Sequence, residues 1–332
     1  MIKVEHLTKY YGDFLAVDDL SFEIDEGHVY GFLGPNGAGK STTMNMMTGC
    51  LSATSGRVEV GGFDLFEDAD QAKKLIGYLP EQPPLYMNET PAEYLRFVGE
   101  AKGLRGAELE RQIQAVIEQV RIAEVKNRRI SALSKGYKQR VGIAQALLGN
   151  PKVIILDEPT VGLDPIQIIE IRDLIKQLGQ DHTVILSSHI LSEVQAICDK
   201  ILIIAHGKLV AFDDPDKLER SLLSGNEILF TTDAGADQVQ EILAGLDQIG
   251  EVTWEEKEGG LLSVRMKTAA EDIYEVSRAL FFAFAGQGQA LLELTLKRAS
   301  LEDIFLELTE NGDPADQTPA GETTEEQEGE GA

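Results

Sequence analysis

Apolar and polar positions alternate from the start of the chain, in "MIKVEHLTKY", which predicts an opening strand and not the basic-then-apolar leader of an exported protein. Further along, short β-branched runs such as "HVYGFLG" (28–34), "VIILDE" (153–158) and "TVILSS" (183–188) alternate with longer stretches of helical spacing. That alternation predicts a parallel sheet covered by helices. Residues 91–128 read as an inserted helical region: Thr90 can cap, Pro91 suits the first helical position, and Glu93 completes a capping box. Beyond about residue 220 the pattern becomes strand (227–233), helix, a hairpin at Gly259-Gly260, helix, strand (290–298) and a last helix opened by Ser300 with Asp303. This β-α-β-β-α-β order predicts a small ferredoxin-like α+β unit. The expected organisation is an α/β unit over 1–220, with its helical lobe at about 85–150, an α+β unit over 221–310, and an acidic disordered tail over 311–332.

Composition narrows what these units can do. The chain has 332 residues, a formal net charge of −26 and 43% hydrophobic residues, with a mean hydropathy of −0.13. The tail "NGDPADQTPAGETTEEQEGEGA" carries seven acids and no base, and removing them still leaves −19. An acidic body of this kind argues against a nucleic-acid-coating surface, so no nucleic acid is expected as a partner. The most apolar runs, "VILSSHIL", "KILIIAH" and "ALFFAFAG", fall short of the ~20 residues that cross a bilayer. Cys50 and Cys198 stand far apart, outside any metal spacing, and are expected to be core thiols in a reducing compartment.

The chemistry is concentrated at strand ends. "GPNGAGKST" (34–42) follows the strand "VYGFL" and opens a helical run. Gly34, Gly37 and Gly39 let the backbone curl its N–H groups around a phosphate, Lys40 reaches the β- and γ-phosphates, and the Ser41 hydroxyl ligates Mg²⁺. "VIILDEPT" places Asp157 and Glu158 where an apolar strand ends; Asp157 would share the Mg²⁺, and Glu158 would orient and deprotonate the attacking water. "ILSSHIL" ends another strand in His189, placed to report a γ-phosphate through Nε2–H. His6, His28, His182 and His206 have no such setting. "ALSKGYKQR" (132–140) gathers Lys135, Lys138 and Arg140 around Ser134 and Gly136, ahead of an amphipathic helix with apolar residues at 141, 143, 144, 147 and 148. A basic helix start of this kind favours a phosphate, although one complete phosphate site already exists.

With these segments in this order, residues 1 to about 220 resemble the nucleotide-binding subunit of ATP-binding-cassette (ABC) transporters. "GPNGAGKST" looks like the family's Walker A, "VIILDEPT" like its Walker B, "LSKGYKQR" like its signature, "VGLDP" with Asp164 like its D-loop and "SSH" with His189 like its switch loop. The resemblance implies an ATPase with a P-loop cassette fold: a parallel sheet core, an antiparallel β subdomain and an inserted helical lobe. It implies ATP and Mg²⁺ as ligands, with Gly34, Asn36, Gly37, Ala38, Gly39, Lys40, Ser41 and Thr42 around the phosphates and Tyr11 stacked on adenine. It also implies that a second copy packs head to tail, so that Ser134, Lys135, Gly136 and Tyr137 close over the partner's ATP. Lys135 and Tyr137 depart from the usual Leu-Ser-Gly-Gly-Gln, which leaves the contact on the nucleotide's sugar side open. In "IGYLPEQPPLY" either Glu81 or Gln82 could be the Q-loop residue. These two departures are similar to export-type cassettes. The family implies, finally, an integral-membrane permease that holds the chain at the cytoplasmic face and docks near Leu85, Tyr86, Met87, Tyr94 and Phe97, with Tyr86 in the contact. The alternative, a soluble ABC ATPase acting on ribosomes or nucleic acid, would need a second cassette, long coiled coils or a cationic surface.

Overall fold

The computed structural model describes residues 1–221, 226–246, 249–257, 259–268, 270 and 272–297. The alternating opening segment forms β1 (Ile2–Tyr11), paired antiparallel with β2 (Phe14–Ile24) from Ile2↔Ile24 to Tyr11↔Phe14. Next comes β3 (Val29–Leu33), buried at every position because Val29 and Leu33 enter one core while Tyr30 and Phe32 enter another shared with β1 and β2, Phe32 packing on Phe22. After the glycine loop come α1 (Lys40–Met47), β4 (Ser55–Val60), β5 (Phe63–Asp64), α2 (Ala69–Lys74) and β6 (Ile76–Leu79). Strands β2-β1-β4-β5, in that order, make a four-stranded sheet. Its buried residues Val4, Leu20 and Val58 share one core with Met44 and Met47 of α1.

The helical lobe begins as its capping signals require. The Thr90 hydroxyl accepts from the Glu93 N–H at 3.3 Å and the Glu93 carboxylate accepts from the Thr90 N–H at 2.9 Å, opening α3 (Pro91–Ala101). There follow α4 (Gly106–Gln119), two short 3-10 turns at Ala123–Val125 and Ile130–Ala132, and α5 (Lys135–Leu147). Helix α5 corrects the expectation of an amphipathic helix, since Gln139, Arg140 and Gly142 are buried along with its apolar residues. It is covered on two sides, by α3 and α4 and by β6, to which it comes so close that a Cβ on Gly142 would lie 2.5 Å from a Leu79 methyl.

Then come β7 (Val153–Leu156), α6 (Pro165–Leu178), β8 (Thr183–Ser188), α7 (Leu191–Ile197), β9 (Lys200–Ala205), β10 (Lys208–Asp213) and α8 (Pro215–Ser221). The six-stranded sheet runs β10-β9-β3-β8-β7-β6, parallel except for β10. Pairing of Leu33 with Ser188 and of Leu156 with Leu186 sets the carboxyl ends of β3, β7 and β8 side by side. The glycine loop, Asp157-Glu158 and Ser187-Ser188-His189 therefore leave the sheet at one edge, where open α/β sheets bind ligands.

The last described elements are β11 (Asn226–Thr232), α9 (Ala236–Ala244), β12 (Ile249–Lys257), β13 (Leu261–Thr268), α10 (Ile273–Gly286) and β14 (Leu291–Lys297). They form an antiparallel sheet in the order β12-β13-β11-β14, the ferredoxin-like arrangement, with Phe230 against Phe284 in its own core. The helix expected from Ser300 and the acidic tail lie outside the described residues. No described helix is long and apolar enough to cross a membrane. Cys198 is a core thiol, but Cys50 is exposed: α1 ends at Met47, and Gly49, at φ 67°, turns the chain outward before Cys50.

Candidate functional site

The glycine loop is shaped by contacts that other residues cannot make. A Cβ on Gly34 would lie 2.3 Å from the Ile204 carbonyl oxygen, and Gly39 takes φ 100° as the residue that starts α1. Having no side chain, Gly39 leaves the first-turn amides of α1 uncapped, a ready anion site. Lys40 is 5% exposed. Its Nζ donates to the carbonyls of Gly34 (2.8 Å) and Pro35 (3.2 Å) and stands 3.7 Å from Glu158 Oε1. Burial holds its pKa below the usual lysine value, opposed by the charges of Glu158, Asp157 and Glu81.

The carboxylates occupy the neighbouring strand end. Ser187 Oγ, from β8, donates to Asp157 Oδ1 at 2.6 Å and accepts from the Glu158 N–H at 2.7 Å. Ser41 Oγ donates to the same Asp157 oxygen at 3.1 Å. Glu158 takes a left-handed φ of 47°, unusual for a residue with a Cβ, and its two carboxylate oxygens lie 3.1 and 3.2 Å from His189 Nδ1. Lys40, from the start of α1, thus forms one cluster with Glu158 and His189, which follow β7 and β8. The Ser41–Asp157 contact fits Mg²⁺, since it offers two hard oxygens at one point. Among the described residues no group of three or more His, Cys, Asp or Glu could hold a metal, and this small donor set suits an ion that keeps waters and phosphate oxygens.

Lys40, Glu158 and His189 line a cleft of about 470 Å³ together with Asn36, Gly37, Ala38, Gly39, Ser41 and Thr42, whereas Asp157 is buried behind Ser41 and outside the lining. Glu81 lines it as well, whereas Gln82, one residue on, is exposed and lies outside the lining. At its apolar rim Tyr11 faces Phe14 across the β1–β2 turn, both exposed. The sequence reading missed Phe14 and the bridging role of Ser187. The first was signalled by "YYGDF", in which Tyr11 and Phe14 flank a Gly-Asp turn, and the second by the serine pair before His189.

A second cleft, about 460 Å³, is lined by Ser134, Gly136, Tyr137, Asp164, Gln167 and Arg121, among others. Ser134 caps α5 by accepting from the Tyr137 N–H at 3.4 Å, and Asp164 caps α6 by accepting from the Gln167 N–H at 2.9 Å. The Tyr137 hydroxyl bonds to Glu124. Lys135 is exposed on this side. Arg140 is not free to meet an anion, because it turns inward to donate to the Val120 carbonyl at 2.9 Å and to Glu170 at 2.7 Å. The two clefts share no lining residue, so within one chain Ser134 and Gly136 do not complete the phosphate site.

A sequence profile of the family described as "ABC transporter" matches residues 17–161. The chain is 34% identical over 311 residues to the linearmycin resistance ATP-binding protein LnrL of Bacillus subtilis, covering 93% of this chain and 98% of that one. It is 35% identical over 317 residues to the bacitracin transport ATP-binding protein BcrA of Bacillus licheniformis, covering 94% and 98%. Among solved structures, a bacterial ABC transporter cassette determined as a dimer superposes with a TM-score of 0.59 at 28% identity, over 64% of this chain and 98% of that one.

Proposed function

The chain belongs to the ATP-binding proteins of ABC transporters, and on that premise we propose in detail how it works as the ATPase of an export-type transporter. The observation that carries the reading is the cluster in which the Glu158 carboxylate meets both His189 and Lys40 beside the glycine loop. The N–H groups of residues 34–42 and Lys40 hold the β- and γ-phosphates, Lys40 exchanging its loop carbonyls for phosphate oxygens. Tyr11, with Phe14 opposite, stacks on the base. Ser41 and Asp157 would hold Mg²⁺, which would supply charge neutralisation at the phosphates. Glu158 takes the proton of the attacking water. His189 keeps Nδ1 on Glu158 and turns Nε2 to the γ-phosphate, and Glu81 serves as the Q-loop residue at the cation side. A second copy packs head to tail, bringing Ser134, Lys135, Gly136 and Tyr137 over the nucleotide with Asp164 beside them, so that hydrolysis opens the pair again.

The permease, on this reading, docks at the lobe, where Tyr86, Met87 and Phe97 are each about half exposed and the Tyr86 ring packs on Tyr94 and Phe97. The chain then works at the cytoplasmic face of the membrane. The names of the two relatives make an antibiotic the first cargo class to try. The test is to tag the chain at its native locus, extract membranes in mild detergent and identify stoichiometric partners by mass spectrometry. A polytopic membrane protein is the expected partner, and ribosomal or DNA-associated proteins in its place would move the function to a soluble ATPase.

A further inference from the structure

Behind the catalytic edge, Glu193 of α7 is only 4% exposed, yet its carboxylate gathers side chains from three other segments. Its Oε2 accepts from Thr160 Oγ1 at 2.6 Å and from Ser188 Oγ at 3.3 Å. Its Oε1 lies 3.4 Å from Arg172 Nη2. Thr160 sits two residues past Glu158, and Ser188 immediately precedes His189. The Ser188 hydroxyl also accepts from the Ile190 N–H at 3.0 Å, so it bridges across His189 from one side to the other. Arg172 lies on α6, the helix capped by Asp164.

A buried ion pair kept for stability alone would look different. A strong arginine–carboxylate pair is bidentate and short, whereas here the charge contact is loose, and Arg172 Nε is buried without a hydrogen-bond partner among the described residues. Buried pairs of that quality contribute little net stability. The well-made contact is the Thr160 hydroxyl bond at 2.6 Å; the Ser188 hydroxyl adds a longer contact at 3.3 Å, with the Ile190 carbonyl also within 3.5 Å, and the two hydroxyls flank the catalytic pair in the chain. Glu158 holds a left-handed backbone that persists only where its surroundings over-determine it, and the Thr160 bond is one such restraint.

We propose that Glu193 is a positioning residue for ATP hydrolysis: by holding the Thr160 and Ser188 hydroxyls on one oxygen it fixes the Glu158–His189 contact, and through Arg172 it ties that contact to α6 and Asp164. The inference rests on the reading of Glu158 and His189 as the hydrolytic pair. It assigns the acceptor oxygen, not the charge, the decisive part.

The test measures kcat and KM for ATP, direct equilibrium binding of ATP, and the melting temperature in the full chain. Glu193→Leu removes the acceptor and is expected to lower kcat about tenfold or more with ATP affinity within about twofold, since small misplacements of catalytic groups have effects of that size. Glu193→Gln keeps an acceptor oxygen and is expected to retain kcat within about threefold. A Thr160→Val/Ser188→Ala double variant removes the hydroxyls while leaving Glu193 in place; it should reproduce the kcat loss and keeps the proposal testable if Glu193→Leu does not fold. Wild-type kcat in the hydroxyl variant, or a loss of ATP affinity equal to the loss of kcat, would overturn the proposal. Glu158→Gln measured in parallel separates the two readings, because activity surviving there removes Glu158 as the base whatever the Glu193 variants do.

Discussion

His189 Nδ1 lies 3.1 Å from Glu158 Oε2 and 3.2 Å from Oε1, while Lys40 Nζ approaches the same carboxylate at 3.7 Å from the glycine loop. On the proposed function, a base, a switch and a phosphate-binding cation meet at this one carboxylate. Glu158→Gln keeps the shape and loses the base, so kcat should fall roughly 100-fold or more while ATP affinity changes little. Phosphate release measured beside equilibrium ATP binding checks this, and an unchanged rate would remove Glu158 from its role.

Ser187 is the clasp between the two carboxylate residues, donating to Asp157 and accepting from the Glu158 backbone in a buried setting. Ser187→Ala leaves the Glu158 N–H without this acceptor and Asp157 Oδ1 with the longer Ser41 contact alone. A stability loss of about 1–3 kcal/mol follows from the unpaired polar groups, read from urea unfolding, together with a lower kcat that Ser187→Thr should partly restore.

The left-handed backbone of Glu158 makes a comparison of two inactive variants informative. Glycine occupies that conformation freely and alanine does not, so Glu158→Gly should be more stable than Glu158→Ala by roughly 1 kcal/mol. The opposite order in paired unfolding curves would mean that φ relaxes when the carboxylate is removed.

Lys40 gives a pH dependence of defined sign. Burial lowers its folded pKa beneath 10.5, so between the folded and unfolded values the unfolded chain binds more protons and stability gains with rising pH. Below that window the lysine is charged in both states and the burial penalty is present in full. Stability of the wild type relative to Lys40→Met should therefore rise as pH increases through the alkaline range toward 10.5, and a relative fall there would contradict the assignment.

Local features were readable in the sequence because their causes are local. The Thr90–Glu93 capping box, the glycine loop before α1 and the Ser134 cap each depend on residues within a few positions of one another. The ends of β3 and β7 were readable because apolar runs stop abruptly at Gly34 and Asp157, and that of β8 because its apolar run gives way to Ser187-Ser188 before His189. What escaped depends on which strands and helices become neighbours. Ser187 acquires its role from β7 lying beside β8, and Arg140 is turned inward by Glu170, 30 positions away. Helix α5 is buried on two sides because the lobe and β6 both lean on it, and Cys50 is exposed because of the turn at Gly49. The choice between Glu81 and Gln82 for the cleft required the course of the chain after β6.

The separation of the two clefts within one chain makes association the central claim. The direct measurement is the mass in solution of the Glu158→Gln protein by light scattering, with ATP and Mg²⁺, with ADP, and without nucleotide. Head-to-tail closure predicts a dimer with ATP alone, abolished by a bulky replacement of Gly136, whose Cα faces Gln167 in the second cleft. A protein that binds ATP fully yet stays monomeric under all three conditions would contradict the account.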